Sequence, residues 1–277
     1  MSQHKTNTYA EIASASTVEA RRLGQLLYPS TKQLFVQAGI TTGMKVLDVG
    51  SGAGDVALLL AELVGPTGSI VGVEVHATIL ETARARVQAA GLTNVSFITG
   101  DIRDVALDEE FDAVVERNVL IYLPNPAAVL RRCLEHLRPG GVVVFQDLDV
   151  SLGELVTQRD AMPPLARQVA SWLYGGFRQA GVELQIRCKF PDLFLEAGLP
   201  YPTMTLDSTV AAGPDWTGYA YLVDLLVDLL PKLYDYGILK EAVDAERCVE
   251  QMRAEVLQQR SFVPLAFWAG AWARKES

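Results

Sequence analysis

Gly50, Gly52 and Gly54 alternate through a short loop behind the apolar run Lys45-Val46-Leu47-Asp48-Val49. Glycine at such spacing lets a backbone turn sharply and approach a ligand where a Cβ would collide. Asp55 to Val64 reads as an apolar helix, halted by Gly65-Pro66. Strand, glycine loop and helix together make a cradle of nucleotide type. A dinucleotide fingerprint needs another glycine where Asp55 stands. A carboxylate in the first helical turn suits the helix dipole but would repel a diphosphate docked there. The loop therefore suits an adenosine ligand of little negative charge better than NAD.

Four more apolar runs end in chemical residues further along. Ser69-Ile70-Val71-Gly72-Val73 closes in Glu74, near the position where doubly wound folds place the acid that grips ribose hydroxyls. Val95 to Ile98 leads into Gly100-Asp101, and Phe111 to Val115 into Glu116-Arg117-Asn118. Leu137-Arg138-Pro139-Gly140-Gly141 opens a fifth run, Val142 to Phe145, followed by Gln146, Asp147 and Asp149. Runs this short, alternating with segments of helical spacing, predict parallel βαβ units. Ligands of such sheets bind at the carboxyl ends of the strands.

With these motifs in order, residues 45–150 resemble the core of a class I S-adenosylmethionine-dependent methyltransferase. The likeness is carried by Leu47-Asp48-Val49-Gly50-Ser51-Gly52-Ala53-Gly54, Val71-Gly72-Val73-Glu74, Gly100-Asp101 and Leu137-Arg138-Pro139-Gly140-Gly141. It is most similar to the small-molecule branch that includes the ubiquinone and menaquinone C-methyltransferases. The resemblance implies a doubly wound, Rossmann-like α/β fold of seven strands, the last antiparallel, with helical lid insertions. It implies S-adenosylmethionine as cofactor. The Asp48, Gly50, Ser51 and Gly52 loop would pass under its methionine part, and Glu74 would accept both ribose hydroxyls. Asp101 would take the adenine amino group with the Ile102 amide facing the ring. Arg117 would meet the amino-acid end, mainly through its backbone. Asp48 could equally serve only to anchor the loop, and Asp101 could be a turn residue.

Three segments are expected: an N-terminal helical cap over residues 1–40, the cofactor core over 41–150, and lid helices with the last two strands over 151–277. Ser16-Thr17-Val18-Glu19 has the capping-box pattern, and its helix is expected to break at Tyr28-Pro29 before a second one over 31–38. Beyond residue 150, helices are expected over 163–180, 190–197, 215–232 and 241–259, with strands over 202–210 and 262–274. The aromatics of this part point to an apolar acceptor pocket, for which Trp172 and Tyr219, with Tyr9 and Tyr28 from the N-terminal segment, are the candidates. Gln146, Asp147 and Asp149 are weak catalytic candidates, weighed against helix capping or ion pairing in the lid. His4, His76 and His136 read as solvent-facing or packing residues.

Composition bounds the remaining readings. The net charge of −9 disfavours a general nucleic-acid partner. No apolar run reaches the roughly 20 residues a membrane span needs. Cys133, Cys188 and Cys248 have no metal-type spacing, so no metal site is expected, and with no signal peptide they predict a reducing, cytoplasmic setting. The expected function is methyl transfer to carbon or oxygen of a small, largely apolar or aromatic metabolite, in a chain that could form a homo-oligomer. The alternatives are a Rossmann-type NAD-dependent oxidoreductase and a non-catalytic S-adenosylmethionine-binding partner protein.

Overall fold

The computed structural model describes residues 17–107, 110–123, 125–157, 162–211 and 213–276. Helix α1 (Thr17–Ala38) precedes the alternating series β1 (Lys45–Val49), α2 (Asp55–Val64), β2 (Ser69–Glu74), α3 (Ala77–Ala89), β3 (Val95–Thr99) and β4 (Phe111–Arg117). A 3₁₀ turn, Leu120–Tyr122, leads to α4 (Pro126–Glu135) and β5 (Leu137–Leu148). Then come α5 (Val150–Thr157), α6 (Pro164–Gln179), α7 (Ile186–Glu196), β6 (Thr203–Ala211), α8 (Gly218–Asp235), α9 (Ala245–Gln259) and β7 (Val263–Arg274).

The strands form one seven-stranded sheet in the order β3-β2-β1-β4-β5-β7-β6. β1 pairs in parallel with both β2 and β4, β2 with β3, and β4 with β5. β7 runs antiparallel to β5: Gly140 N–H donates to Lys275 O at 2.9 Å, Lys275 N–H to Gly141 O at 2.8 Å, and Asp149 N–H to Phe267 O at 2.7 Å. The central strands are apolar because helices cover both faces of a parallel sheet. Val46, Ala113, Val115, Val142 and Val144 accordingly pack with Val56, Ala57 and Leu60 of α2 and with Leu34 and Phe35 of α1. The strand order reverses between β1 and β4, which is where a doubly wound sheet opens its ligand crevice.

The chain divides into two compact units. One holds Leu27–Asp147, Ile186–Leu206 and Ala269–Ser277, and so contains β1 to β5 up to Asp147. The other, largely helical, holds Leu148–Gln185 and Asp207–Trp268 together with the chain up to Leu26.

Three local expectations are corrected. Pro29 does not break the first helix, which runs unbroken to Ala38. A proline removes one N–H donor, and the buried Leu27, Leu34 and Phe35 hold a single helical face across it. Helix α5 is an element the sequence reading did not contain, and β5 extends well beyond residues 142–145 at both ends. α7 begins at Ile186, ahead of the expected 190, and carries Pro191 within it. By contrast α4 starts as its Asn-Pro pair predicts, the Asn125 Oδ1 accepting from Ala128 N–H at 3.1 Å with Pro126 in the first turn.

Candidate functional site

The glycine loop leaves the carboxyl end of β1 and is fastened onto the end of β2. Gly50 N–H and Ser51 N–H both donate to Val73 O, at 2.8 and 3.1 Å. Gly50, Gly52 and Gly54 have φ of 73°, 48° and 84°, the left-handed region that side chains disfavour. The first two serve different ends. A Cβ on Gly50 would collide with Val119 Cγ2, so this glycine is needed for packing within the protein. A Cβ on Gly52 would meet nothing nearer than Ile79 Cδ1 at 4.0 Å. The protein leaves the space before Gly52 open, as a ligand cradle requires. Gly72 contributes a contact the sequence reading missed: a Cβ there would collide with Ser51 Oγ, so its absence lets the loop lie against β2.

Glu74, 9% exposed, ends β2 beside this loop. Its carboxylate accepts Gly52 N–H at 3.0 Å on one oxygen and His76 N–H at 3.1 Å on the other. A carboxylate has about four acceptor positions, so roughly two remain for a ligand. β3 ends next to it, because Gly100 N–H donates to Glu74 O at 2.9 Å. Asp101 follows and grips Arg103, accepting from its backbone N–H and its Nε, each at 2.9 Å. That partnership holds the Asp101 carboxyl below its ordinary value. Ile102 beside it is buried.

Asp48 is the most unusual acid of the set. It is 1% exposed, and neither carboxylate oxygen has a hydrogen-bond partner among the described residues. Burial pushes its carboxyl up to about 7; the Arg117 guanidinium opposes the rise, while Glu74 and Asp55 add to it. Arg117 is half-buried, within electrostatic reach of Asp55, Asp48 and Glu116, and desolvation draws its pKa down. Its Nη1 donates to Thr31 Oγ1 at 3.4 Å, and Thr31 Oγ1 donates to Gln146 Oε1 at 2.6 Å. The Arg117 guanidinium thus lies within electrostatic reach of Asp48. Asp55 is paired with Arg86 at 2.7 Å, and Arg86 also donates to Ala53 O at 2.6 Å. This pairing offsets the Asp55 charge at the start of α2.

At the end of β5, Gln146 has its Nε2 buried without a partner among the described residues. Asp147 lies against Glu116 of the neighbouring strand, and both are wholly buried. Burial and the proximity of Asp147 push the Glu116 carboxyl well up, and burial also raises that of Asp147, so the two retain a proton between them. Glu116 also accepts N–H donors from Val119 and, at 3.2 Å, from Leu120, which fixes the turn packed on Gly50. Glu116 was not singled out in the sequence; its only signal there was a carboxylate directly after the apolar run Ala113-Val114-Val115. Asp149 turns out to cap α5, its Oδ1 accepting from Ser151 Oγ at 2.8 Å and Leu152 N–H at 3.0 Å.

The acceptor candidates are scattered. Tyr9, like His4, lies outside the described residues. Tyr28 is 38% exposed; its hydroxyl donates to Glu62, and Lys32 Nζ stands 5.5 Å from its ring centroid. It belongs to a surface cluster of α1 and α2, not to an apolar pocket. Trp172 is half-buried on α6. Tyr219 is buried edge-on against Trp216, ring centroids 5.1 Å apart. A cavity within the helical unit is lined instead by their neighbours Leu173, Tyr174, Tyr221 and Leu222. Among the described residues no three His, Cys, Asp or Glu side chains gather as metal ligands, and no helix is long and apolar enough to cross a membrane. Burial pushes the Cys133 thiol up to about 12, which leaves it unreactive.

A family model described as "Methyltransferase domain" matches residues 40–175. The arsenite methyltransferase of Aquipseudomonas alcaligenes is 38% identical over 121 residues, 41% of this chain and 35% of that protein. The demethylmenaquinone methyltransferase of Shouchella clausii is 30% identical over 177 residues, 61% of this chain and 74% of that one. A methyltransferase structure from Bacillus halodurans superposes with a TM-score of 0.56 at 20% identity, covering 88% of this chain and 98% of the other, a likeness of fold. The chain spans 35–48% of the length of several matched relatives.

Proposed function

Because the chain belongs to the family of S-adenosylmethionine-dependent methyltransferases, we propose that it moves a methyl group from that cofactor to carbon or oxygen of a small, largely apolar or aromatic metabolite. The observation that carries the cofactor assignment is the pairing of an open cradle at Gly52 with a buried, partnerless carboxylate at Asp48. An unpaired buried charge is costly, and an arriving ammonium removes that cost. In this reading Asp48 would hold the cofactor's ammonium and Arg117 its carboxylate. Glu74 offers its remaining acceptor positions to the ribose hydroxyls. Asp101 and Ile102 border the adenine.

When bound, the cofactor supplies a methyl group activated by a positively charged sulfur. The chain's own share is orientation and exclusion of water, which can account for roughly 7–11 kcal/mol of a barrier. Gln146, with its buried and unmatched Nε2, is the residue at the end of β5 suited to orienting an acceptor oxygen.

The acceptor class rests on two supports. Relatives at about 30% identity are named for menaquinone and ubiquinone methylation. The arsenite-methylating relative would point to a soft inorganic acceptor, which calls for converging thiolates. Here Cys133 is buried in α4 and Cys188 exposed on α7, and no three ligating side chains converge among the described residues. A carbon or oxygen acceptor agrees better with that arrangement.

Calorimetry with S-adenosylhomocysteine and with NADH tests the cofactor assignment. Saturable binding of the first and none of the second is expected. Binding of NADH alone would overturn it.

A further inference from the structure

The helical unit contains a partly open cavity of about 50 Å³. Among the described residues, none of its lining carries a charge. Leu173, Phe177, Leu222 and Met252 supply apolar walls. Tyr174 also lines it, and burial raises its phenol above the ordinary value, so the group stays neutral. The hydroxyl of Tyr174 packs against Gly153, where a Cβ would strike it.

Trp268, from β7, is the exception in this lining. It is 2% exposed, and its indole Nε1 has no hydrogen-bond partner among the described residues. An indole nitrogen donates and never accepts. A buried donor without an acceptor is disfavoured, and native structures rarely leave one so. A water held here would need two to four polar partners, a demand that an uncharged, mostly apolar lining meets badly.

We propose that this cavity binds the end of a neutral aliphatic molecule bearing a carbonyl oxygen, with Trp268 donating to that oxygen. Its size sets the class. A cavity of roughly 150 Å³ is what accepts a benzene ring. This one, which is only partly enclosed, has room for a few heavy atoms, the end of an alkyl chain with its ketone or ester oxygen while the rest of the chain stays outside, and not for an aromatic ring. A carboxylate is excluded because nothing in the lining would pair its charge. The proposal is independent of the methyl-transfer reading, and its test contains no cofactor.

The test titrates the full chain with 2-pentanone, n-pentane and pentanoate, followed by ligand-observed NMR. In the parent protein 2-pentanone should bind about three- to tenfold more tightly than pentane, the gain from one neutral hydrogen bond. Pentanoate should not bind. Trp268→Phe, which keeps the ring and removes the donor, should bring the ketone down to the affinity of the alkane. Ala170→Leu, which fills the cavity from α6, should abolish binding of both. Equal binding of ketone and alkane by the parent, or binding of pentanoate, would overturn the proposal without recourse to any variant. A folded Trp268→Phe protein that still prefers the ketone would overturn it too.

Discussion

The carboxylate of Glu74 accepts the backbone N–H of Gly52 at 3.0 Å, so the acid at the end of β2 fastens the glycine loop that leaves β1. The proposed binding group and the proposed cradle are therefore one unit. A substitution at Glu74 acts on a ligand twice, through the contacts it loses and through the loop it loosens.

Glu74→Ala should lower affinity for S-adenosylhomocysteine at least tenfold and up to a hundredfold. Hydrogen bonds to a charged group are worth about 1.5–3 kcal/mol. The Gly52 and His76 amides also lose their acceptor, so the melting temperature should fall by a few degrees as well. Glu74→Gln keeps one carbonyl oxygen and should lose less of both. Calorimetry and thermal unfolding on the three proteins check this; unchanged affinity in the alanine variant would remove Glu74 from the site.

The two glycines should separate cleanly. Gly52→Val meets open space in the protein, so it should fold, with a backbone strain of about 1 kcal/mol, yet fail to bind the cofactor. Gly50→Ala collides with Val119 and should destabilise the fold before any ligand is added. Val119→Ala should restore part of the stability lost in Gly50→Ala. Melting curves alongside binding isotherms distinguish the two effects, and a Gly52→Val protein of parental affinity would contradict the cradle.

Stability should depend on pH through Asp48. Its carboxyl is raised from the model-peptide value of 3.8 to about 7 in the folded state. The folded protein then holds a proton that the unfolded chain has released, so this contribution is fully present below about pH 4 and is lost as pH rises toward and through 7. Asp48→Asn should flatten that part of the profile and stabilise the ligand-free protein at pH 8. The raised Glu116 and Asp147 carboxyls act in the same direction. Denaturant unfolding between pH 4 and 8 measures the slope; a parent and an Asp48→Asn profile of equal slope would refute the assignment.

Glu116 and Asp147 should tolerate amide and alanine replacement differently. Asp147→Asn keeps a hydrogen-bonding partner and removes like-charge repulsion, so it should leave stability at pH 8 unchanged or higher. Glu116→Ala strips the acceptor from Val119 and Leu120 and leaves buried donors unmatched, at a cost of about 1–3 kcal/mol. Chemical denaturation at pH 8 compares them, and equal destabilisation would argue against a shared proton.

The βαβ core was legible because its strands are buried on both faces and end in glycine or an acid, so apolar runs and their last residues mark both element and site. Glu74 ends β2, Gly52 lies in the loop after β1 and Asp101 follows β3, the chain positions that the apolar runs predicted. What stayed hidden depends on tertiary partners. Gly72 is a glycine because Ser51 packs on it, and Gly50 because Val119 does, neither of which spacing reveals. Pro29 looked like a break because local chemistry favours one, while the buried face on either side of it overrides that preference. Asp149 was weighed as a catalytic group because the short helix it caps carries no clear periodicity. On α6 one broad apolar face takes in Trp172 as well as Leu173, and α8 is apolar on most sides, so the helices could be found but the residues facing the cavity could not. Trp172 and Tyr219 were named where Leu173 and Tyr221 line the cavity.

The central claim is methyl transfer from S-adenosylmethionine to a small molecule. The direct measurement incubates the purified chain with methyl-labelled S-adenosylmethionine and a metabolite extract, then separates solvent-extractable, aqueous and macromolecular fractions. The account predicts label in a solvent-extractable small molecule, absent with Gly52→Val and suppressed by S-adenosylhomocysteine. Label that stays with the cofactor in every fraction, while binding is intact, would contradict it and make the chain a binder that does not transfer.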